Sequence, residues 1–208
     1  RIHVLADDTG PRRSDPRDRD GNESRRTKPA QDASELEGAR LYLRGATGWA
    51  LLRRGASGME SACGSDGHTA WNVPERGPVR VSSNPARFRG ALPGEQHDLP
   101  FVDPSDGLGE LERAYDLELA PSGARDEATH ARLVATRKPG VGRGPKRVEL
   151  EYDRDTASVV RMTFERLPQA KGGPHALEFV LIDERALPAD FFTHVPHHAS
   201  GREVVFED

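Results

Sequence analysis

The sequence predicts a mostly β (α+β) domain, in which a strongly curved, largely antiparallel sheet packs one helix against its apolar face. Three observations support this fold class. Short strand-like runs separated by turn residues begin at residue 39, apolar and charged residues alternate in the last third, and one stretch has helical periodicity. Period-two alternation is typical of antiparallel strands that are covered on one face and solvated on the other.

Ten short runs have the composition of strands. In the first half they cover residues 41–43, 48–52, 58–63, 69–73 and 78–81, and in the second half 115–119, 130–136, 146–153, 157–165 and 175–183. Turn residues separate these runs, and successive short strands usually pair with one another. We therefore expect a meander.

One helix is predicted in the segment DPSDGLGELERA, residues 103–114. Asp103 or Ser105 can cap its start, and Leu108 and Leu111 share one face. The helix is expected to end near Ala114, because the residues that follow alternate like a strand.

The first 38 residues differ in composition from the rest. After an apolar start at residues 2–5, they mix Arg, Asp and Glu and include three prolines, with little to bury. Such a segment cannot offset the entropy lost on ordering. We expect a flexible charged tail over residues 1–38 and one domain over residues 39–208.

The stretch SDGHTAW, residues 65–71, predicts a tight hairpin turn at Asp66 and Gly67. Gly adopts the positive φ that such turns require. A calcium loop would need several more oxygen ligands than Asp66 alone supplies.

Composition excludes several classes of protein. With 30 Lys and Arg against 34 Asp and Glu, the net charge of −4 argues against a nucleic-acid partner. The sequence contains no run of 18 apolar residues, which is the length that a membrane-spanning helix needs. The single Cys63 excludes an internal disulfide. The chain starts at Arg1, so we expect any targeting or tethering segment to lie upstream.

The strongest metal candidate is the cluster His194, His197 and His198. Pro196 restrains the backbone there and no acidic ligand lies at a fixed spacing, so an ordinary loop is favoured. The glycine-rich GVGRGPK, residues 140–146, lacks the G-K-[ST] of a phosphate loop. No catalytic constellation emerges, and we expect a protein that is not an enzyme and needs no cofactor.

Three motifs follow one another in a characteristic order: SDGHTAW, the hairpin at residues 152–161, and LPADFFTHVPHHASG at residues 187–201. This order resembles the bacterial lipoprotein-localisation (LolA/LolB-like) superfamily, which includes RseB/MucB-type periplasmic sensors. The resemblance spans residues 39–205. It implies an unclosed antiparallel barrel or half-barrel with a helical lid or plug, whose concave apolar face receives acyl chains or a partner's hydrophobic segment.

Apolar residues of the predicted strands are the candidates to line that cavity, with Leu108 and Leu111 on the lid. The candidates are Trp49, Leu51, Trp71, Val73, Leu117, Leu133, Leu150, Tyr152, Val160, Met162, Phe164, Leu177 and Phe179. The alternative is that these side chains fill a core against the helix.

The resemblance implies an extracytoplasmic, periplasmic role. We expect a monomeric, carrier-like domain that binds a lipid or the acyl chains of a lipoprotein. The alternative is a membrane-tethered sensor module that signals to a membrane-bound partner protein, such as an anti-sigma factor.

Overall fold

The computed structural model describes residues 2–5, 36–44, 47–55, 57–93, 112–120, 129–141, 144–156, 158–167, 175–182 and 186–207. Within these ranges the chain is mostly β and forms two six-stranded sheets. Short 3-10 helices cover Arg89–Ala91 and Val195–His197. None of the described helices is both long and apolar enough to cross a membrane.

Sheet I is built from the first half of the chain and its last strand. Its strands are β2 (Arg40–Arg44), β3 (Gly48–Arg54), β4 (Glu60–Ser65), β5 (Ala70–Val73), β6 (Val79–Ser82) and β12 (Val204–Glu207). The first five form an antiparallel meander, and β12 adds to β6 in parallel. Sheet I therefore runs in the order β12-β6-β5-β4-β3-β2.

Sheet II is built from the second half and the first strand. Its strands are β1 (Ile2–Leu5), β7 (Tyr115–Ala120), β8 (His130–Arg137), β9 (Arg147–Asp153), β10 (Val159–Glu165) and β11 (Ala176–Val180). The last five form a second antiparallel meander, and β1 adds to the far side of β11. Among the described residues both sheets keep two free edges, so neither closes into a barrel.

The ten predicted strands are all present, although some bounds differ by a few residues. In place of the single curved sheet that the alternation predicts, the structure has two sheets. The reason lies in strands such as β3, whose Trp49, Ala50 and Leu51 are all buried. A strand that is apolar on both faces must be covered on both, and one curved sheet with one helix offers cover for only one.

Both ends of the predicted tail, residues 1–38, belong to the folded domain. Residues 2–5 form β1, and Leu36 is completely buried in the core. The remainder of the predicted tail, residues 6–35, lies outside the described residues.

The two sheets share one hydrophobic core. The buried side chains of sheet I that face it include Trp49, Leu51 and Cys63, and those of sheet II include Val148, Leu150, Phe164, Leu177 and Phe179. Phe164 and Phe179 meet edge to face with ring centroids 5.5 Å apart. Burial raises the pKa of the Cys63 thiol to about 11 and keeps it protonated at neutral pH.

The opposite face of sheet I is covered by the C-terminal segment, residues 186–203. Trp71 and Phe192 form the centre of this second core, together with Val73, Val79 and Val81. The indole Nε1 of Trp71 donates to the Phe192 carbonyl at 2.7 Å. Arg202 donates to the Gly77 carbonyl at 2.8 Å, just before the chain enters β12.

The outer face of sheet II carries charge instead. Ion pairs connect neighbouring strands: Arg132 with Glu149, Arg147 with Glu165, and Arg161 with Glu151 and Glu178. Arg147 also pairs with Glu149 on its own strand, β9. Opposite charges on adjacent strands stabilise a solvated face modestly. This is the polar side that the alternation in the last third predicts.

Gly64 is required beneath the ring of Trp71, its cross-strand neighbour. A Cβ atom at Gly64 would lie 2.5 Å from Cζ2 of Trp71 and 2.6 Å from the Trp49 carbonyl oxygen. We expect Gly64→Ala to lower the free energy of unfolding by about 1–3 kcal/mol, as overpacking does. Urea denaturation measures this change. Gly201→Ala is the control, because no atom lies within 4 Å of its added Cβ; equal losses in both variants would contradict the packing described.

Candidate ligand-binding surface

The structure divides the predicted cavity residues between the two cores. Trp49, Leu51, Leu150, Phe164, Leu177 and Phe179 are buried between the sheets, with Leu133 and Met162 partly buried against them. Trp71 and Val73 lie in the second core, on the other face of sheet I. Trp49 is opposite Ser65, whereas Trp71 is opposite Gly64. A difference of one residue in register turns a side chain to the other face.

A continuous apolar row crosses the inner face of sheet II, the face that meets sheet I. In register it runs Leu119, Leu133, Leu150, Met162, Phe179. A parallel row runs Leu117, Ala135, Val148, Phe164, Leu177. The inner face of sheet II is thus apolar from β7 to β11.

Sheet I covers the middle of this face but not its β7 end. Leu150 is 5% exposed and Phe164 is fully buried, whereas Leu117 is 36% and Leu119 70% exposed. Leu117, Leu119 and the partly buried Leu133 together are called the β7 strip below. The strip is an open extension of the core, and a surface of this kind is where an apolar ligand can add contacts.

Leu119 is absent from the predicted cavity residues, although it is the most exposed member of the strip. The signal for it is present in YDLELA, where Leu117 and Leu119 alternate with Asp116 and Glu118. Alternation assigns both leucines to one face, but it does not show how far the opposite sheet extends.

Tyr152 and Val160 lie at the same end of sheet II, where β9 ends and β10 begins. A β-bulge between Val159 and Arg161 interrupts the alternation there and sets Val159, not Val160, opposite Tyr152. Tyr152 and Val160 are both half-buried. The incompletely buried members of the predicted cavity are therefore Leu117, Leu133 and Met162 in the apolar rows, and Tyr152 and Val160 at this end.

The predicted lid precedes the β7 strip in the chain. Residues 112–114 are helical and β7 begins at Tyr115, which matches the expected end of the helix. Leu108 and Leu111, the predicted lid residues, lie outside the described residues.

Asp66 and Gly67 lie in the turn that joins β4 to β5. Oδ1 of Asp66 accepts the backbone N–H groups of His68 and Thr69, each at 2.8 Å, and Gly67 has a φ of +96°. Burial raises the pKa of the Asp66 carboxyl, but the hydrogen bonds from Thr69 and His68 outweigh it and lower that pKa overall. Every oxygen contact described for Asp66 serves the turn itself.

The histidine cluster holds the C-terminal segment together. His197 stacks on Trp71 with ring centroids 4.8 Å apart and donates from Nε2 to the Phe191 carbonyl at 2.7 Å. His198 donates from Nδ1 to the Ala199 carbonyl, which leaves its Nε2 to accept from Nδ1 of His194 at 2.9 Å. In the described part of the chain, no three His, Cys, Asp or Glu residues are grouped as metal ligands.

This arrangement predicts a loss of stability in mild acid. Burial lowers the pKa of both His194 and His197 below the ordinary 6.5; for His194 the other histidines add to the effect, and for His197 the Phe191 hydrogen bond opposes it. Because the folded protein resists protonation, the stabilisation is complete above pH 6.5 and is lost as pH falls toward the lower folded-state pKa values. Urea denaturation at about pH 7.5 and about pH 5 should show the loss.

The double variant His194→Gln/His197→Gln should flatten this dependence, while His68→Gln, an exposed turn histidine, should keep it. An unchanged pH profile in the double variant would contradict the assignment.

No protein-family model matches the chain, and comparison with curated protein sequences finds no match either. The family resemblance therefore rests on its three motifs.

Proposed function

We propose that this domain binds an apolar ligand without catalysis, and that the ligand is a lipid or the acyl chains of a lipoprotein. The observation that carries the proposal is the β7 strip, where Leu119 is 70% exposed at the end of a row whose other members are buried or partly buried. An acyl chain laid along the strip continues the apolar row outward from Leu133 and Leu150.

Burial supplies the driving force. Each methylene removed from water contributes about 0.8 kcal/mol, so a chain of several methylenes on the strip binds appreciably. The half-buried Met162 belongs to the same apolar row as Leu119, and the half-buried Tyr152 lies at the end of sheet II where β9 ends. Met is a flexible, polarisable side chain that adapts to ligands of varied shape.

The resemblance to the lipoprotein-localisation superfamily supports the same role. In that interpretation sheet II forms the concave floor of a half-barrel, and the predicted helix ending near Ala114 forms its lid. The domain would then work outside the cytoplasm, in the periplasm, as a monomeric carrier.

A second candidate function is a sensor module that binds a partner protein. The observation that favours it is that β7 is an edge strand of sheet II among the described residues. An extended segment of a membrane-bound partner could add to this edge by backbone hydrogen bonds and place apolar side chains on Leu117 and Leu119.

The test is titration of the protein with a fluorescent fatty-acid probe. We expect saturable uptake by the natural sequence. Leu119→Asp should lower the affinity for the probe about tenfold or more, because the charge replaces apolar contact worth about 1.5–3 kcal/mol. The control is Phe206→Asp, which changes a 76% exposed residue on β12, in the other sheet.

Absence of saturable uptake by the natural sequence, or equal affinities in the two variants, would contradict lipid binding at the strip. In the first case, the sensor function predicts that an extended apolar peptide binds instead and that Leu119→Asp weakens it.

A further inference from the structure

A cationic pocket lies at the other end of sheet II, where β8 ends and β9 begins. It has a volume of about 450 Å³ and is lined by Thr136, Arg137, Lys138, Pro139, Gly140, Val141, Lys146, Arg147, Glu165 and Arg166. Gly140, Val141 and Lys146 of the glycine-rich segment 140–146 are among these lining residues. The pocket thus includes part of the motif that the sequence alone assigns only to a loop.

Its lining is strongly basic. Five Lys or Arg side chains face one carboxylate, that of Glu165, so the lining carries four net positive charges in a chain whose total is −4. A concave surface lined by one sign of charge raises the local concentration of oppositely charged ligands. Glu149 and Asp116, which pair with Arg147 and Lys138 from outside the lining, offset part of this charge, and the lining itself is basic in a protein that is acidic overall.

Three of the five cations are held by protein groups. Arg147 donates to Glu149 at 3.0 Å, Arg137 donates to the Gly144 carbonyl at 2.7 Å, and Lys138 donates to the Glu112 carbonyl at 2.7 Å. These contacts fix the positions of the charges. The carbonyl partner of Arg137 leaves its charge unneutralised, whereas Lys138 also pairs with the Asp116 carboxylate at 4.0 Å.

The other two, Lys146 and Arg166, are exposed and form no ion pair with any described residue. The backbone of Lys146 is nevertheless held in place, since its N–H donates to the Glu165 carbonyl at 3.1 Å and to the Arg166 carbonyl at 3.4 Å, and its carbonyl accepts from the N–H of Arg137 at 3.0 Å. Tyr115 adds a side-chain bond from its hydroxyl to the Pro145 carbonyl at 3.0 Å. The two cations thus project from an ordered frame into solvent.

Arg166 has a φ of +52°, and it is the only residue other than glycine with a positive φ in the described parts of the chain. A left-handed conformation is unfavourable for a residue with a Cβ, and glycine would adopt it without strain. Residues held in such conformations cluster at ligand sites. An arginine at this position carries charge at a conformational cost.

We infer that this pocket binds a phosphate group through Lys146 and Arg166, with Arg137 and Lys138 supporting the charge. Lysine supplies a compact point charge and arginine a planar fork, the two donors that phosphate oxygens accept most readily. This way of binding phosphate differs from that of a phosphate loop, because charged side chains rather than consecutive backbone N–H groups contact the phosphate. The phosphate can belong to a lipid headgroup or to a soluble phosphorylated molecule.

This site goes beyond the proposed function and is independent of it. The β7 strip lies where β7 ends and β8 begins, whereas the pocket lies where β8 ends and β9 begins. Loss of acyl binding therefore does not test the pocket, and loss of phosphate binding does not test the strip.

Two binding experiments test the inference. In the first, the protein is titrated with inorganic pyrophosphate in a calorimeter; in the second, it is sedimented with vesicles of phosphatidylcholine that either contain or lack phosphatidylglycerol. We expect Lys146→Gln/Arg166→Gln to weaken binding of pyrophosphate or of the anionic vesicles about tenfold or more. Arg40→Gln/Arg76→Gln is the control, because it removes the same charge from exposed residues outside the pocket.

Arg166→Gly provides a variant that keeps the fold. Glycine tolerates the positive φ, so this protein should be at least as stable as the natural one and still bind more weakly. Pyrophosphate binding would support a soluble phosphorylated ligand, and binding only to the anionic vesicles would support a lipid headgroup. Binding to neither, or equal weakening in the pocket and control variants, would overturn the inference.

Discussion

Burial of both faces of sheet I is the constraint on which the rest of the structure depends. Trp49 and Leu51 point to sheet II, while Ala50 on the same strand points to the C-terminal segment. The segment must dock because Trp71 needs apolar cover and an acceptor for its indole N–H, and Phe192 supplies both. The histidine contacts and the pairing of β12 with β6 then fix its path.

Sheet II meets a different requirement, because within the described ranges only its inner face packs against an apolar core. Its outer face is an array of ion pairs that solvent can screen, and its inner face is apolar across all the strands from β7 to β11. Sheet I does not reach Leu119 at the β7 edge. The surface that we propose for ligand binding is therefore a consequence of how two sheets of unequal cover pack together.

Local sequence patterns predict most of the strands, but little of how the strands are divided between two sheets and how those sheets pack. Alternation and turn residues locate ten strands, because each pairs with a neighbour in sequence. The two that were not predicted, β1 and β12, are four-residue strands with distant partners; Ile2 pairs with Phe179 and Val204 with Val79. Alternation also cannot tell that Trp49 and Trp71 face opposite ways, since that depends on cross-strand register. Leu117 could be predicted as a residue of the cavity, but the exposure of Leu119 could not, because alternation does not show how far the opposite sheet extends.

The central claim is that the open inner face of sheet II receives an acyl chain. Native mass spectrometry of the purified protein, before and after incubation with a long-chain fatty acid, tests it most directly. We predict a discrete adduct of one fatty-acid mass that survives gentle desolvation, or a co-purified lipid already occupying the site. A spectrum that shows only the mass of the unliganded chain in both samples would contradict the claim.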